Sequence, residues 1–141
     1  MRTYEYRHVV TFEETNIVGN VYYTHFLKWQ GRCRELFLRD HAPDVLQELA
    51  KDLRLVTVRC SCEFFEELFG FDEVVLRMRL AAFVQNRVRM DFDYYRCQNG
   101  GEQLVARGEQ EVACMRLHEG RIVLAPIPDA FREALRPYEE G

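Results

Sequence analysis

The sequence has no excess of positive charge, no long apolar run and no segment built like a secretion signal. Lys and Arg number 19 against 23 Asp and Glu, a formal charge of −4, which argues against a surface made to neutralise nucleic-acid phosphates. No stretch approaches the roughly 20 apolar residues that a membrane-spanning helix needs. Met1 to Arg7 alternates polar and aromatic types without an apolar centre, so a cytoplasmic location is expected and neither nucleic acid nor membrane is an expected partner. Cysteine is odd in number: Cys33, Cys60, Cys62, Cys97 and Cys114 cannot all pair, and reduced thiols are expected. Cys60 and Cys62 stand one residue apart with no second pair at zinc spacing. No metal and no cofactor is assigned.

What is present suffices for one folded unit. A chain of 141 residues that is 48% hydrophobic and 30% charged can bury a core without disulfides, and a second domain would not fit. The expectation is a single domain over 1–141. Tyr4, Tyr6, His8, Val10 and Phe12 alternate with their neighbours at the strand period of two. Polar residues and Gly19 then break the pattern, and from Tyr22 to Arg39 the spacing becomes helical. A short second helix is expected over Asp44–Asp52. Strands follow over Leu53–Phe65, Val74–Val84, Val88–Arg96 and Leu104–Met115, where β-branched and aromatic residues gather. Gln98-Asn99-Gly100-Gly101 is a hairpin signal, and His118 to Gly120 suggests a further turn before Ile122–Leu124. A terminal helical turn is expected around Phe131–Leu135. This is the order of an α+β domain in which a curved antiparallel β-sheet wraps one long central α-helix.

One residue on that helix is out of place. Tyr23, Phe26, Leu27, Gln30, Phe37 and Leu38 form its apolar stripe, and Lys28, Arg32, Glu35 and Arg39 the opposite face. Arg34 falls within the stripe, where an unpaired charge is costly. Two readings stand side by side. Arg34 makes a buried ion pair or runs its stem along apolar surface to water; alternatively, a guanidinium held in a cleft offers fixed donors to a developing oxyanion.

The loop before the helix reads Glu14-Thr15-Asn16-Ile17-Val18-Gly19-Asn20-Val21-Tyr22-Tyr23 and runs into Phe26-Leu27-Lys28-Trp29. This stretch resembles the 4-hydroxybenzoyl-CoA type of hotdog-fold thioesterase, whose motif is roughly Asp-Thr-Asp, two residues, Gly, then a short segment into a central helix with an Arg near its middle. Glu14, Thr15, Gly19, Val21, Tyr22 and Arg34 match. Asn16 stands where that family has its catalytic carboxylate. The pairing of Asn16 with Arg34 is similar to the subgroup from enediyne polyketide biosynthesis, in which an asparagine and an arginine take over. Glu67 stands where many relatives have proline.

The resemblance implies hydrolysis of an acyl thioester, with Asn16, Arg34 and Tyr23 as catalytic groups and no cofactor. The amide of Asn16 orients water or donates to the oxyanion. The Tyr23 N–H, at a helix start where donors are unpaired, faces the carbonyl. Gly19, Phe26, Leu27, Gln30 and Phe37 are the expected substrate-binding residues, with Gly31 permitting close approach. Glu13 and Glu14, adjacent acids in a polar loop, are expected to be solvated, and Glu66 and Glu67 to end a strand.

The expected substrate is a long polyene chain, 3-keto or 3-hydroxy, on an acyl carrier protein domain of a polyketide synthase, with decarboxylation of the released 3-keto acid. The alternatives are a general acyl-CoA thioesterase of the same fold, for which Arg87 and Arg89 offer a start of a phosphate site, and a non-catalytic acyl-binding module. A sheet wrapped on one helix leaves edges and an outer face to cover, so a homotetramer, a dimer of dimers, is expected.

Overall fold

The computed structural model describes residues 2–140. Strand β1 spans Tyr4–Val9, and a single 3-10 turn, Phe12–Glu14, precedes the site loop. Helix α1 spans Thr24–His41 and α2 spans Pro43–Leu49. The chain then turns to sheet: β2 Leu53–Phe64, β3 Glu73–Val84, β4 Arg87–Gln98, β5 Gly101–His118 and β6 Arg121–Leu124, closed by α3 at Asp129–Leu135. The six strands form one antiparallel sheet in the order β1-β3-β4-β5-β2, with β6 paired to the end of β5. This is the wrapped-helix α+β architecture, with the expected first strand ending three residues early, at Val9 instead of Phe12.

Local chemistry explains the joints. Asn99 and Gly100 take φ of 51° and 76°, and Glu119 and Gly120 take 50° and 77°, the two positive angles that a twist-matched two-residue hairpin requires. Pro43 opens α2 at a position where a missing N–H costs nothing. Register shifts fall at Thr57/Arg59, Leu80/Ala82 and Tyr94/Tyr95, and such irregularities bend strands enough to curl a sheet.

The concave face of the sheet carries Leu76, Met78, Leu80, Met90, Phe92 and Tyr94, all fully buried. Against it α1 buries Phe26, Trp29, Gln30, Cys33, Phe37 and Leu38. The buried stripe is therefore rotated from the expected one. Trp29 and Cys33 lie at its centre, whereas Tyr23 is about half exposed, at 54%. Tyr94 donates its hydroxyl to the Phe26 carbonyl at 2.7 Å, which ties the helix start to the sheet.

Glu14 is the largest departure from the sequence reading. Far from solvated, it is 4% exposed. Its carboxylate accepts from the Thr11 amide at 2.9 Å and the Trp29 indole at 2.9 Å, and stands 2.8 Å from His8 Nε2. One side chain thus joins β1, the turn and α1. Burial pushes its carboxyl upward, but the hydrogen bonds from Thr11, His8 and Trp29 outweigh that and hold it below its ordinary value. A depressed folded-state value gives stability that is present above the unfolded value and lost as pH falls through the folded one. Glu14→Gln should therefore lower stability by about 2 kcal/mol at neutral pH. The deficit should shrink in acid, below the ordinary carboxylate range. Urea unfolding of both proteins at neutral and acid pH checks this; a deficit that does not depend on pH would show that the charge is irrelevant.

Candidate active site

The loop after Glu14 is built as a closed turn. Asn16 donates its amide to Asn20 O at 2.9 Å, Gly19 N–H returns to Asn16 O at 2.9 Å, and Gly19 takes φ of +97°. The Asn16 side chain uses its Oδ1 to accept the Val18 amide at 2.9 Å. Its oxygen is thereby committed to the turn and its Nδ2 makes no hydrogen bond within the described residues, leaving a donor. The loop is fastened at its far end by Tyr22 N–H to Glu14 O at 3.0 Å and Val21 N–H to Leu68 O at 2.8 Å.

Tyr23 follows, already helical at φ −56° and ψ −30°. Among the described residues its N–H has no backbone acceptor, the next amides in the chain that bond backwards being His25 and Phe26. Beside it opens a cavity of about 180 Å³ lined by Asn20, Tyr23, Phe26, Phe64, Glu66 and Glu67 among others. An amide without a backbone acceptor at the positive end of an 18-residue helix, on a residue that lines a small cleft, suits a developing oxyanion.

Arg34 lies elsewhere. Eleven residues beyond Tyr23 on a helix that rises 1.5 Å per residue, it stands about 16 Å farther along the axis. Its guanidinium donates to Gln110 Oε1 on β5 at 2.6 Å, and its Nε is buried without a partner. Burial draws its pKa down from the ordinary value, with Glu35 pulling the other way. It borders a second cavity of about 500 Å³ between α1, α2 and β2, walled by Leu38, Leu46, Leu49 and Leu55. Among the described residues, no hydrogen bond joins Asn16 to Arg34, and neither of these two cavities is lined by both.

The remaining expected residues divide. Phe26 walls the helix-start cavity and packs edge-on against Phe64 at 4.9 Å. Leu27 is half-buried and borders neither cavity. Phe37 is fully buried among Tyr4, His41 and Tyr138 at ring distances of 5.3 to 5.4 Å and lines neither of these two cavities. At Gly31 a Cβ would meet nothing within 4 Å, so no other part of the chain packs over that point of the helix.

Within the chain, a close approach that requires glycine occurs at Gly108 on β5, a position that the sequence reading did not single out. Gln30 sends its amide across to Ser61 O at 3.0 Å, over the bare backbone of Gly108. A Cβ at Gly108 would lie 2.2 Å from Gln30 Nε2 and 2.8 Å from Ser61 O. A glycine within a strand is the available signal for such contact. Gln110 was missed because a polar residue in a strand ordinarily faces water; here it is 4% exposed. Gly108→Ala is expected to destabilise by about 1–3 kcal/mol, as overpacking does. Thermal unfolding measures it, and an unchanged midpoint would mean that Gln30 is free to move aside.

Comparison with known proteins agrees with this fold. A model of the thioesterase-like superfamily matches residues 10–135. The chain is 24% identical over 136 residues to a 1,4-dihydroxy-2-naphthoyl-CoA hydrolase of Synechocystis sp., covering 96% of each. Among solved structures, the dynemicin thioesterase superposes with a TM-score of 0.95 at 48% identity over 99% of both chains; its crystal structures are described as revealing induced-fit and allosteric effects upon polyene binding. The 4-hydroxybenzoyl-CoA thioesterase of Pseudomonas sp. strain CBS-3 shares the fold, with a TM-score of 0.79 at 16% identity over 95% of this chain and 99% of that one. The family match over most of the chain and the 48% identity over nearly all of it lead to one conclusion: this chain belongs to the thioesterase-like superfamily of hotdog-fold thioester hydrolases.

Proposed function

We propose that the protein releases a long polyene acyl chain from an acyl carrier protein domain of a polyketide synthase in enediyne biosynthesis. The observation that carries this reading is the 48% identity, over 99% of both chains, to a thioesterase described as binding a polyene. Water attacks the thioester carbonyl, the oxyanion is held by the Tyr23 N–H with the Asn16 Nδ2 as second donor, and the thiol departs. Thiolate is a good leaving group, so a neutral amide at position 16 is chemically adequate. If the chain carries a 3-keto group, the released acid loses carbon dioxide and gives a methyl ketone.

Arg34 enters through assembly. Strand β2 has a free edge over twelve residues, with Val56 and Val58 about 40% exposed, and an open edge of that length calls for a partner. In this reading two copies pair there, pairs associate into a homotetramer, and the Asn16 loop of one copy works with Arg34 of another. Asn16→Ala and Arg34→Ala should each lower turnover roughly a hundredfold, as loss of an oxyanion donor does. Unfolding and refolding the two variants together should restore activity, because one of the two mixed sites regains both groups. Mixtures no more active than either variant alone would show that both groups of a site come from one chain.

A general acyl-CoA thioesterase is the second reading, favoured by the likeness to the naphthoyl-CoA hydrolase. Of the two arginines that suggested a nucleotide-phosphate site, Arg87 is already paired with Glu111 at 3.2 Å. Turnover of matched polyene carrier-protein and saturated CoA thioesters separates the readings. A clear preference for CoA would overturn the polyketide assignment.

A further inference from the structure

Arg34 is a cation that its own chain leaves unneutralised. The guanidinium donates to Gln110 Oε1 at 2.6 Å, and this partner is an amide without charge. The acid that acts on it is Glu35, the next residue of the helix, exposed and felt only through space. Arginines on the outer face of the sheet are treated differently. Arg77 lies against Glu5 and Glu102, Arg79 against Asp93 and Glu140, and Arg116 against Glu48 and Asp52. Those charges need a partner less, because water screens them, whereas a charge drawn inward is costly without one. A neutral partner at the inner position therefore calls for a reason.

Gln110 is a firm anchor. It lies on β5 between Cys60 of β2 and Met90 of β4, paired to a strand on each side, and it is buried. Two positions earlier, Gly108 lets Gln30 come down to Ser61 O at 3.0 Å. Gln30 and Arg34 are four residues apart on the helix, an advance of about 6 Å, and Gly108 and Gln110 are two apart on the strand, about 6.8 Å. The two steps match. Seating Gln30 over Gly108 thus brings Arg34 over Gln110.

An amide and a carboxylate at position 110 would both accept from Arg34, with different consequences. A carboxylate takes two of the donors in a fork and cancels the charge. The amide oxygen takes its bond without cancelling anything, and the amide nitrogen, itself a donor, takes none. The guanidinium is left aimed, with its field intact. Such a preset cation stabilises charge that appears only as a reaction proceeds, since no counter-ion has to be displaced first. We propose that Gln110 is a positioning residue for the hydrolysis, whose neutral amide aims Arg34 while leaving its charge free to meet the negative charge that develops as water adds to the thioester. This deepens the thioesterase reading and rests on it.

The test uses the full chain and a conjugated polyene thioester of N-acetylcysteamine, with the released acid measured by chromatography so that the exposed Cys60 does not interfere. Gln110→Glu keeps the shape and the acceptor but supplies a counter-charge. Its kcat should fall about a hundredfold, the scale of a lost oxyanion donor, with KM within about threefold, while its thermal midpoint stays at or above that of wild type. A glutamine with a structural role alone would give a preserved hydrogen bond and a preserved kcat. Gln110→Met keeps the bulk and the charge on Arg34 but removes the aim, and its kcat should fall about tenfold. In an Arg34→Ala background Gln110→Met should change kcat by less than about twofold, since no guanidinium is left to aim. Wild-type kcat in folded Gln110→Glu or in Gln110→Met would overturn the proposal, and so would a Gln110→Met effect undiminished by Arg34→Ala. Where Gln110→Glu fails to fold, the two Gln110→Met comparisons decide. Wild-type protein inert towards this substrate and towards carrier-bound and CoA thioesters would overturn the hydrolase reading, and the role of Gln110 with it.

Discussion

A single buried carboxylate, Glu14, fixes where the site loop meets the fold. An anion taken out of water survives only if donors surround it, and Glu14 finds them on three separate pieces of chain: the turn amide of Thr11, the ring of His8 on β1 and the indole of Trp29 on α1. Satisfying that charge requires strand, turn and helix to meet at one point. The chain leaves this junction through Thr15, and its return is locked by Tyr22 bonding back to the Glu14 carbonyl. The loop carrying Asn16 is thus a closed excursion that begins and ends on the same residue.

The interior of the wrap is not uniformly apolar, and its polar contacts set the height and rotation of α1. Phe26 is held through its carbonyl by Tyr94, Gln30 through its amide by Ser61, and Arg34 through its guanidinium by Gln110. These three helix positions are spaced by four residues and so fall on one side. Buried hydrogen bonds of this kind add modestly to net stability but are expensive to leave unmade. They select one seating of the helix where greasy contacts alone would tolerate several. The absence of a side chain at Gly108 belongs to the same arrangement, since it is what lets Gln30 come down onto the sheet.

The fold was largely legible in the sequence because period and punctuation agreed. Alternation marked β1, helical spacing marked α1, and Asn99-Gly100 and Glu119-Gly120 sit in the turns where the chain reverses. The loop motif disclosed the family through a handful of residues. Harder to read was anything settled by three-dimensional satisfaction of polar atoms. Glu14 looked like a solvated acid because its donors lie at positions 8, 11 and 29, a pattern without any period. The packing of Phe37 against Tyr4 and Tyr138 was hidden because a helical wheel shows which side a residue faces but not how far along the axis a cavity extends. The distance between Asn16 and Arg34 was hidden for the same reason.

The turn at Asn16 separates the two ends of one amide. The oxygen is structural, closing the turn onto the Val18 amide, and the nitrogen is what remains for a ligand. An aspartate there would offer the same oxygen to the same amide and a second oxygen in place of the nitrogen, with almost no change in shape. The scaffold is therefore indifferent to which of the two residues it holds, while the chemistry reverses from donor to acceptor. A single replacement of Asn16 by aspartate would then exchange a donor for an acceptor beside the turn while leaving the hydrogen bond to Val18, and the backbone around it, undisturbed.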